Sequence, residues 1–231
     1  MIDAKVEKEE DKLLNKIRTL IDGDRIVNFS DAVFAFAATL LIIRIDFPIS
    51  VSPELIRTDF WNQLALLIPV YGANFFSFLI IAYYWRQHHK LFILIAQYDI
   101  VLTWINLLVL IFVALLPFPI DLFGQYSDVP DVITFYTVSL AVVGYLLLAV
   151  WLYASYHHRL IKKTMSSRVI WYITFSTAIA PLVFTASIPL AYIHHTLAKV
   201  SWILVVVFLL LFNTVYKINP LEKKRFDKDP E

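Results

Sequence analysis

Six stretches of this chain, residues 26–45, 61–84, 100–120, 132–155, 169–190 and 197–216, are each twenty or more residues long and predominantly apolar. An α-helix rises about 1.5 Å per residue, so about twenty residues cross a hydrocarbon core of about 30 Å. Lipid offers no partner to an open backbone N–H or C=O, and a helix satisfies both within its own segment. The pattern predicts an all-α integral membrane protein with six transmembrane helices. Composition agrees: 59% of the 231 residues are hydrophobic and 17% charged, a balance that only a lipid solvent tolerates. A soluble enzyme is excluded on that ground.

Lysine and arginine set the orientation, because they are retained on the cytoplasmic side of short connections. Seventeen of the twenty lie in the segment up to Arg25, in the connections after the second and fourth spans, and in the C-terminal tail. Only Arg44, Arg57 and Lys199 fall on the opposite side, so both termini are predicted cytoplasmic. The six tryptophans (61, 85, 104, 151, 171 and 202) all lie near a predicted span end, as an interfacial aromatic belt requires.

Residues 1–24 carry dense alternating charge, with Leu13, Leu14, Ile17, Leu20 and Ile21 at helical spacing. They read as a cytoplasmic amphipathic helix that stops near Gly23, lying on the membrane surface, bundling with its own copies, or fraying as a solvated tail. The segment is too long and too acidic for a signal peptide, so the first span is retained. Residues 25–217 form one membrane domain and 218–231 a cytoplasmic tail. Pro117, Pro119 and Pro189 fall at outer span ends. Pro181 lies inside the fifth span and is expected to kink it, freeing a carbonyl for Ser176, Thr177 or a neighbouring helix to satisfy.

The first span departs from an inert anchor. Asn28, Ser30 and Asp31 sit in its cytoplasmic third and Thr39 lies deeper. A carboxylate inside a span costs a few kcal/mol and normally faces protein or water. Arg25, Trp85, His88 and His89 are the partners nearest in depth, which points to a hydrogen-bonded brace between spans one and two, or to a proton relay through Asp31. On a helical wheel Phe36, Thr39, Leu40 and Ile43 share one face, while Ala32, Ala35 and Ala38 would let another helix approach. Around an axis that face becomes stacked apolar rings with a hydroxyl ring between; otherwise it is ordinary lipid-facing or packing surface.

The remaining chemistry is sparse. All six histidines come as adjacent pairs (88 and 89, 157 and 158, 194 and 195), and neighbours on a helix diverge by about 100°, so a pair does not serve one metal. They read as interfacial structural residues, with pH sensing as the other possibility. No cysteine is present, which excludes disulfides, thiolate metal sites and a cysteine nucleophile. The chain carries no nucleotide, zinc-protease or serine-hydrolase motif and no TVGYG-like filter, and Tyr71-Gly72 lies within a span. No catalytic or metal site and no cofactor is expected, and a net charge of +1 argues against a nucleic-acid partner.

Residues 25–31, Arg-Ile-Val-Asn-Phe-Ser-Asp, continued by Ala-Val-Phe-Ala-Phe-Ala-Ala-Thr-Leu-Leu, resemble the RxxxFSD signature and FAxAxTLL run of the transmembrane protein 175 family. These are lysosomal and prokaryotic cation channels without a P-loop. The resemblance extends to the six-span layout and to the Trp85–His88 element after span two. It implies a potassium-permeable channel of the prokaryotic plasma membrane, a homotetramer whose first helices line the pore, modestly selective for K+ over Na+. By motif position it makes Phe36, Leu40 and Ile43 the constriction and Thr39 the selectivity layer. Arg25, Phe29, Ser30 and Asp31, with Trp85 and His88, become the supporting network. Phe36 stands where the family more often has an aliphatic residue, so a ring of four either narrows the pore further or rotates aside. The rival classes are a secondary transporter or proton pathway using Asp31, and a non-transporting scaffold. A transporter's paired broken helices are not found in the sequence.

Overall fold

The computed structural model describes residues 2–43 and 53–215. They form helices joined by short connections: α1 (Ile2–Ile43), α2 (Pro53–Ala65), α3 (Ile68–Leu94), α4 (Ile100–Leu115), α5 (Pro117–Gln125), α6 (Pro130–Ser155), α7 (Ser167–Ile193), α8 (His195–Ser201) and α9 (Ile203–Val215). The expected tail 218–231 and the stretch 44–52, with Arg44, lie outside the described residues.

The boundaries follow from local chemistry. Proline opens α3, α5 and α6, where its missing N–H costs no hydrogen bond. Asp99 caps α4 by accepting from the Leu102 N–H at 2.8 Å. Among the described residues four segments are long and apolar enough to cross a membrane: Ile100–Gln125, Pro130–His158, Ser167–Ile193 and His195–Phe212. A fifth candidate is the bent pair Arg57–Ala65 and Val70–Leu94, at 42°. The fully described apolar run of α1, residues 26–41, spans about 24 Å.

Several elements run further than their sequence suggests. α1 does not stop at Gly23 but continues unbroken from Ile2 to Ile43. Glycine weakens a helix without terminating it, and this one is packed: a Cβ at position 23 would lie 2.6 Å from the Tyr98 ring. α3 runs ten residues past Tyr84, which puts His88 and His89 inside a helix and not at its end. The third span breaks at Leu116 yet resumes through Pro117 and Pro119 to Gln125. α7 continues past Pro189 to Ile193.

Packing explains the Pro181 site differently from the expectation. The proline ring sits against Gly144 of α6, where a Cβ would come within 2.9 Å. The hydroxyls named as rescuers do something else. Ser176 donates to the Ile173 carbonyl at 3.0 Å, and the Thr177 hydroxyl is buried without a partner among the described residues.

The tryptophans do not all face outward. Trp151 is fully buried and donates to Thr174 Oγ1 at 3.0 Å. Trp202, buried at the α8–α9 break, stacks among Phe76, Phe123, Tyr136 and Phe184 and donates to Ser187 Oγ at 3.0 Å. Trp61, Trp85, Trp104 and Trp171 are exposed.

The connections meet in two groups. At one end the segment after α3 joins the segment after α6: the Ala96 and Gln97 N–H groups donate to the Leu160 carbonyl, and Arg159 pairs with Asp99 at 3.3 Å. Gly23 of α1 packs at this end too, under Tyr98. At the other end Lys199 donates to the Ser127 carbonyl and Tyr192 to Asp131. Successive long helices therefore run back and forth between the same two ends.

Candidate functional site

α1 has two faces in its apolar half. Ser30, Phe34, Ala37 and Leu41 recur at intervals of four, three and four and are buried against the rest of the chain. About 140° round the helix lie Arg25, Phe29, Phe36 and Thr39, all exposed, with Leu40 half-buried among them. Phe36 is 61% exposed and Phe29 56%. The backbone of Ile43 closes the helix; its side chain lies outside the described residues.

The buried face is held by a directional hydrogen-bond chain. Ser30 Oγ donates to the Ile26 carbonyl at 2.7 Å and accepts from Asn106 Nδ2 at 3.0 Å. Asn106 Oδ1 lies 2.8 Å from His88 Nε2, and an amide oxygen only accepts, so Nε2 carries the proton. His88 Nδ1 then remains an acceptor, buried without a partner among the described residues. The imidazole is clamped by Phe34 of α1 and stacked on Phe92, 4.2 Å away. Nearer solvent, Trp85 Nε1 donates to Asp31 at 2.8 Å, and its ring stacks on His89. α1, α3 and α4 are thus tied together at one depth.

The structure divides the signature residues. Ser30, Asp31, Trp85 and His88 come together in the brace, whereas Arg25 and Phe29 sit on the exposed stripe. There they line an open groove of about 670 Å³ with Ile26, Tyr98, Asp99, Ile100 and Thr103. Asn28 is exposed. The residue missed by sequence reasoning is Asn106, the link between Ser30 and His88. Its signal was a lone amide in the otherwise apolar stretch 104–116.

At the groove's edge, Asp99 is held below the usual carboxylate range. Partial burial alone would raise it, but hydrogen bonds from Tyr153 (2.6 Å) and the Leu102 N–H and the charge of Arg159 outweigh that. Burial pushes the neighbouring Tyr98 phenol up, helped by Asp24.

Thr39 Oγ1 donates to the Phe36 carbonyl at 2.9 Å. Its one proton is spent within the helix, which leaves two oxygen lone pairs as the capacity it offers outward. Among the described residues no three His, Asp or Glu side chains converge as a metal would require.

Among the described residues the chain is helical, with several membrane-length helices and a polar brace behind an exposed stripe of α1, the architecture of a helical membrane protein. The family model for the endosomal/lysosomal potassium channel TMEM175 matches residues 25–117. A potassium channel from Chamaesiphon minutus is 30% identical over 198 residues, 82% of this chain and 94% of that one. The chain belongs to the TMEM175 family. A potassium channel from Streptomyces collinus is 39% identical over 105 residues, 46% of this chain, and this chain spans only 49% of its length. The crystal structure of a lysosomal potassium-selective channel TMEM175 homolog from Chamaesiphon minutus superposes with a TM-score of 0.71 at 27% identity. The match covers 83% of this chain and 98% of that one. These relatives are named as ion channels, not enzymes.

Proposed function

We propose that the chain forms a homotetrameric, potassium-permeable channel of a prokaryotic plasma membrane. In this reading it has six spans, both termini cytoplasmic, and a pore lined by the exposed face of α1. The observation that carries it is the division of α1: one face anchored through Ser30, Phe34, Ala37 and Leu41, the other left free with Phe36, Thr39 and half-buried Leu40. Four such faces around an axis stack Phe36, Leu40 and Ile43 as apolar rings with a Thr39 ring between. The grouping of connections at two ends supports the same crossing scheme, with Gly23 on the side of the basic connections.

Selectivity then rests on dehydration. An apolar ring excludes a hydrated ion, and K+ sheds water more cheaply than Na+. Thr39 oxygens, their proton already committed, replace part of the lost shell. The brace of Ser30, Asn106, His88, Asp31 and Trp85 holds α1 at a fixed rotation, and ring diameter depends on that rotation. The reading requires no cofactor beyond the permeant ion.

A proton pathway through Asp31 is disfavoured by its partner. A relay needs groups that both give and take a proton, and the Trp85 indole only donates. The deciding experiment is the reversal potential of purified protein in a planar bilayer with potassium on one side and sodium on the other. Discrete currents reversing toward the potassium equilibrium potential are expected. Slow, saturable, coupled flux without discrete currents would overturn the channel reading in favour of a transporter, and no flux at all in favour of a scaffold.

A further inference from the structure

The charged half of α1 presents apolar surface that its own chain leaves open. Val6, Leu13 and Leu14 are 51%, 59% and 60% exposed, and Val6 and Leu13 border a groove with Glu9, Glu10 and Lys12. In sequence Val6, Leu13 and Leu20 recur every seven residues, Ile17 follows Leu13 by four, and Leu14 and Ile21 widen the stripe. That places Val6, Leu13 and Leu20 at the d positions of a heptad, Ile17 at a, and Leu14 and Ile21 at e. A seam of a and d alone suits a pair of helices, whereas an apolar e position broadens the face to that of a bundle.

We infer that residues 2–22 pack against the same segment of other copies as a parallel helical bundle, and not against the membrane surface. Two observations choose between these occupants. The first is charge: residues 2–24 hold seven Asp and Glu against five Lys and Arg, the opposite of the basic polar face that binds anionic lipid. The second is direction. α1 is continuous from Ile2 to Ile43, so its charged half leaves the bilayer along the line on which its apolar half crosses. Lying on the bilayer would require a turn of about 90° near Gly23. There the helix runs on, with Tyr98 packed against the glycine. In this register the a positions are Asp3, Glu10 and Ile17, so carboxylate layers interrupt the seam twice, and polar residues at a positions fix register at a cost in stability. The number of copies rests on the tetramer proposed above; the packing does not.

The chain contains no cysteine, so single introduced thiols report unambiguously. Full-length Val6→Cys, Leu13→Cys and, from a heptad position outside the a, d and e stripe, Lys12→Cys are reconstituted in vesicles of mixed anionic phospholipid and oxidised. The readout is the disulfide-linked dimer band on a denaturing gel. Native mass spectrometry of the same samples counts the copies. A dimer band for Val6→Cys and Leu13→Cys, lost for Lys12→Cys, is the expected result. A sample that is multimeric by mass yet shows no band at Leu13→Cys overturns this inference and leaves the channel reading standing. Equal bands at all three positions overturn it as well, because random collision produces them. A monomeric mass without the band removes both readings. As a second measurement, a fluorophore on Leu14→Cys is mixed with brominated lipid: absence of quenching is expected, and strong quenching assigns the stripe to the bilayer.

Discussion

At the scale of single residues, the brace turns on Asn106. It serves Ser30 with its amide N–H and His88 with its oxygen, linking helices 76 residues apart in sequence. Interhelical hydrogen bonds in membranes average only about 0.6 kcal/mol, so the bonds themselves decide little. What decides is the cost of a buried polar group left unmatched. Asn106→Leu, close in volume, strands the His88 Nε2–H beside an Nδ1 that already lacks a partner, and is expected to destabilise by about 1–3 kcal/mol. A lower thermal unfolding midpoint in detergent checks this, and an unchanged midpoint would mean that the brace carries no stability. Asp99 supplies a pH dependence. Its carboxyl is depressed in the folded state, so the stability it contributes is present above the ordinary carboxylate value of about 3.9 and is lost as pH falls through the lower folded value. Melting midpoints of wild type and Asp99→Asn should therefore differ near neutral pH and converge in acid; a constant difference would exclude the ionised carboxylate as the cause.

At the scale of elements, close approach matters more than hydrogen bonding. α6 and α7 meet where Gly144 faces the Pro181 ring, and a methyl group there would lie 2.9 Å from rigid carbons. Gly144→Ala gains helix propensity worth about 1 kcal/mol. Overpacking against a ring that cannot rotate costs about 1–3 kcal/mol, so the net effect is expected to be a loss. A lowered midpoint for Gly144→Ala, partly restored by Pro181→Ala, would be the signature of that clash; two additive losses would argue that the contact is incidental. Periodicity identified α6 and α7 as spans, but could not reveal that a glycine on one accommodates a proline on the other. Likewise α3 outran its expected end, because Trp85, His88 and Phe92 are kept helical by the rings and carboxylate they pack against, not by local hydrophobicity.

For the whole molecule, the proposed channel brings the open face of α1 against the same face of other copies. If four such faces ring an axis, shortening one side chain acts four times in a single layer. Leu40→Ala is then expected to widen the apolar barrier and raise sodium leak, seen as a reversal potential shifted away from the potassium equilibrium value. Unchanged conductance and selectivity would move the constriction away from this ring.

The sequence alone determined the helical membrane class and the family. A run of twenty apolar residues has one way to satisfy its backbone in lipid, and RxxxFSD followed by an alanine-rich stretch is a local pattern. The expense of polar groups at membrane depth also singled out Ser30 and Asp31, with Trp85 and His88 among the partners nearest in depth. Which of those groups meet was decided by the tertiary structure. The partner of Ser30 lies on a helix that spacing could not bring near, Arg25 and Phe29 turned to the open face, and two of the six tryptophans went to the core. Hydrophobicity sorts residues between lipid and water, but inside a bundle helices are chosen by shape and by pairing of polar atoms, and both are properties of the assembled chain.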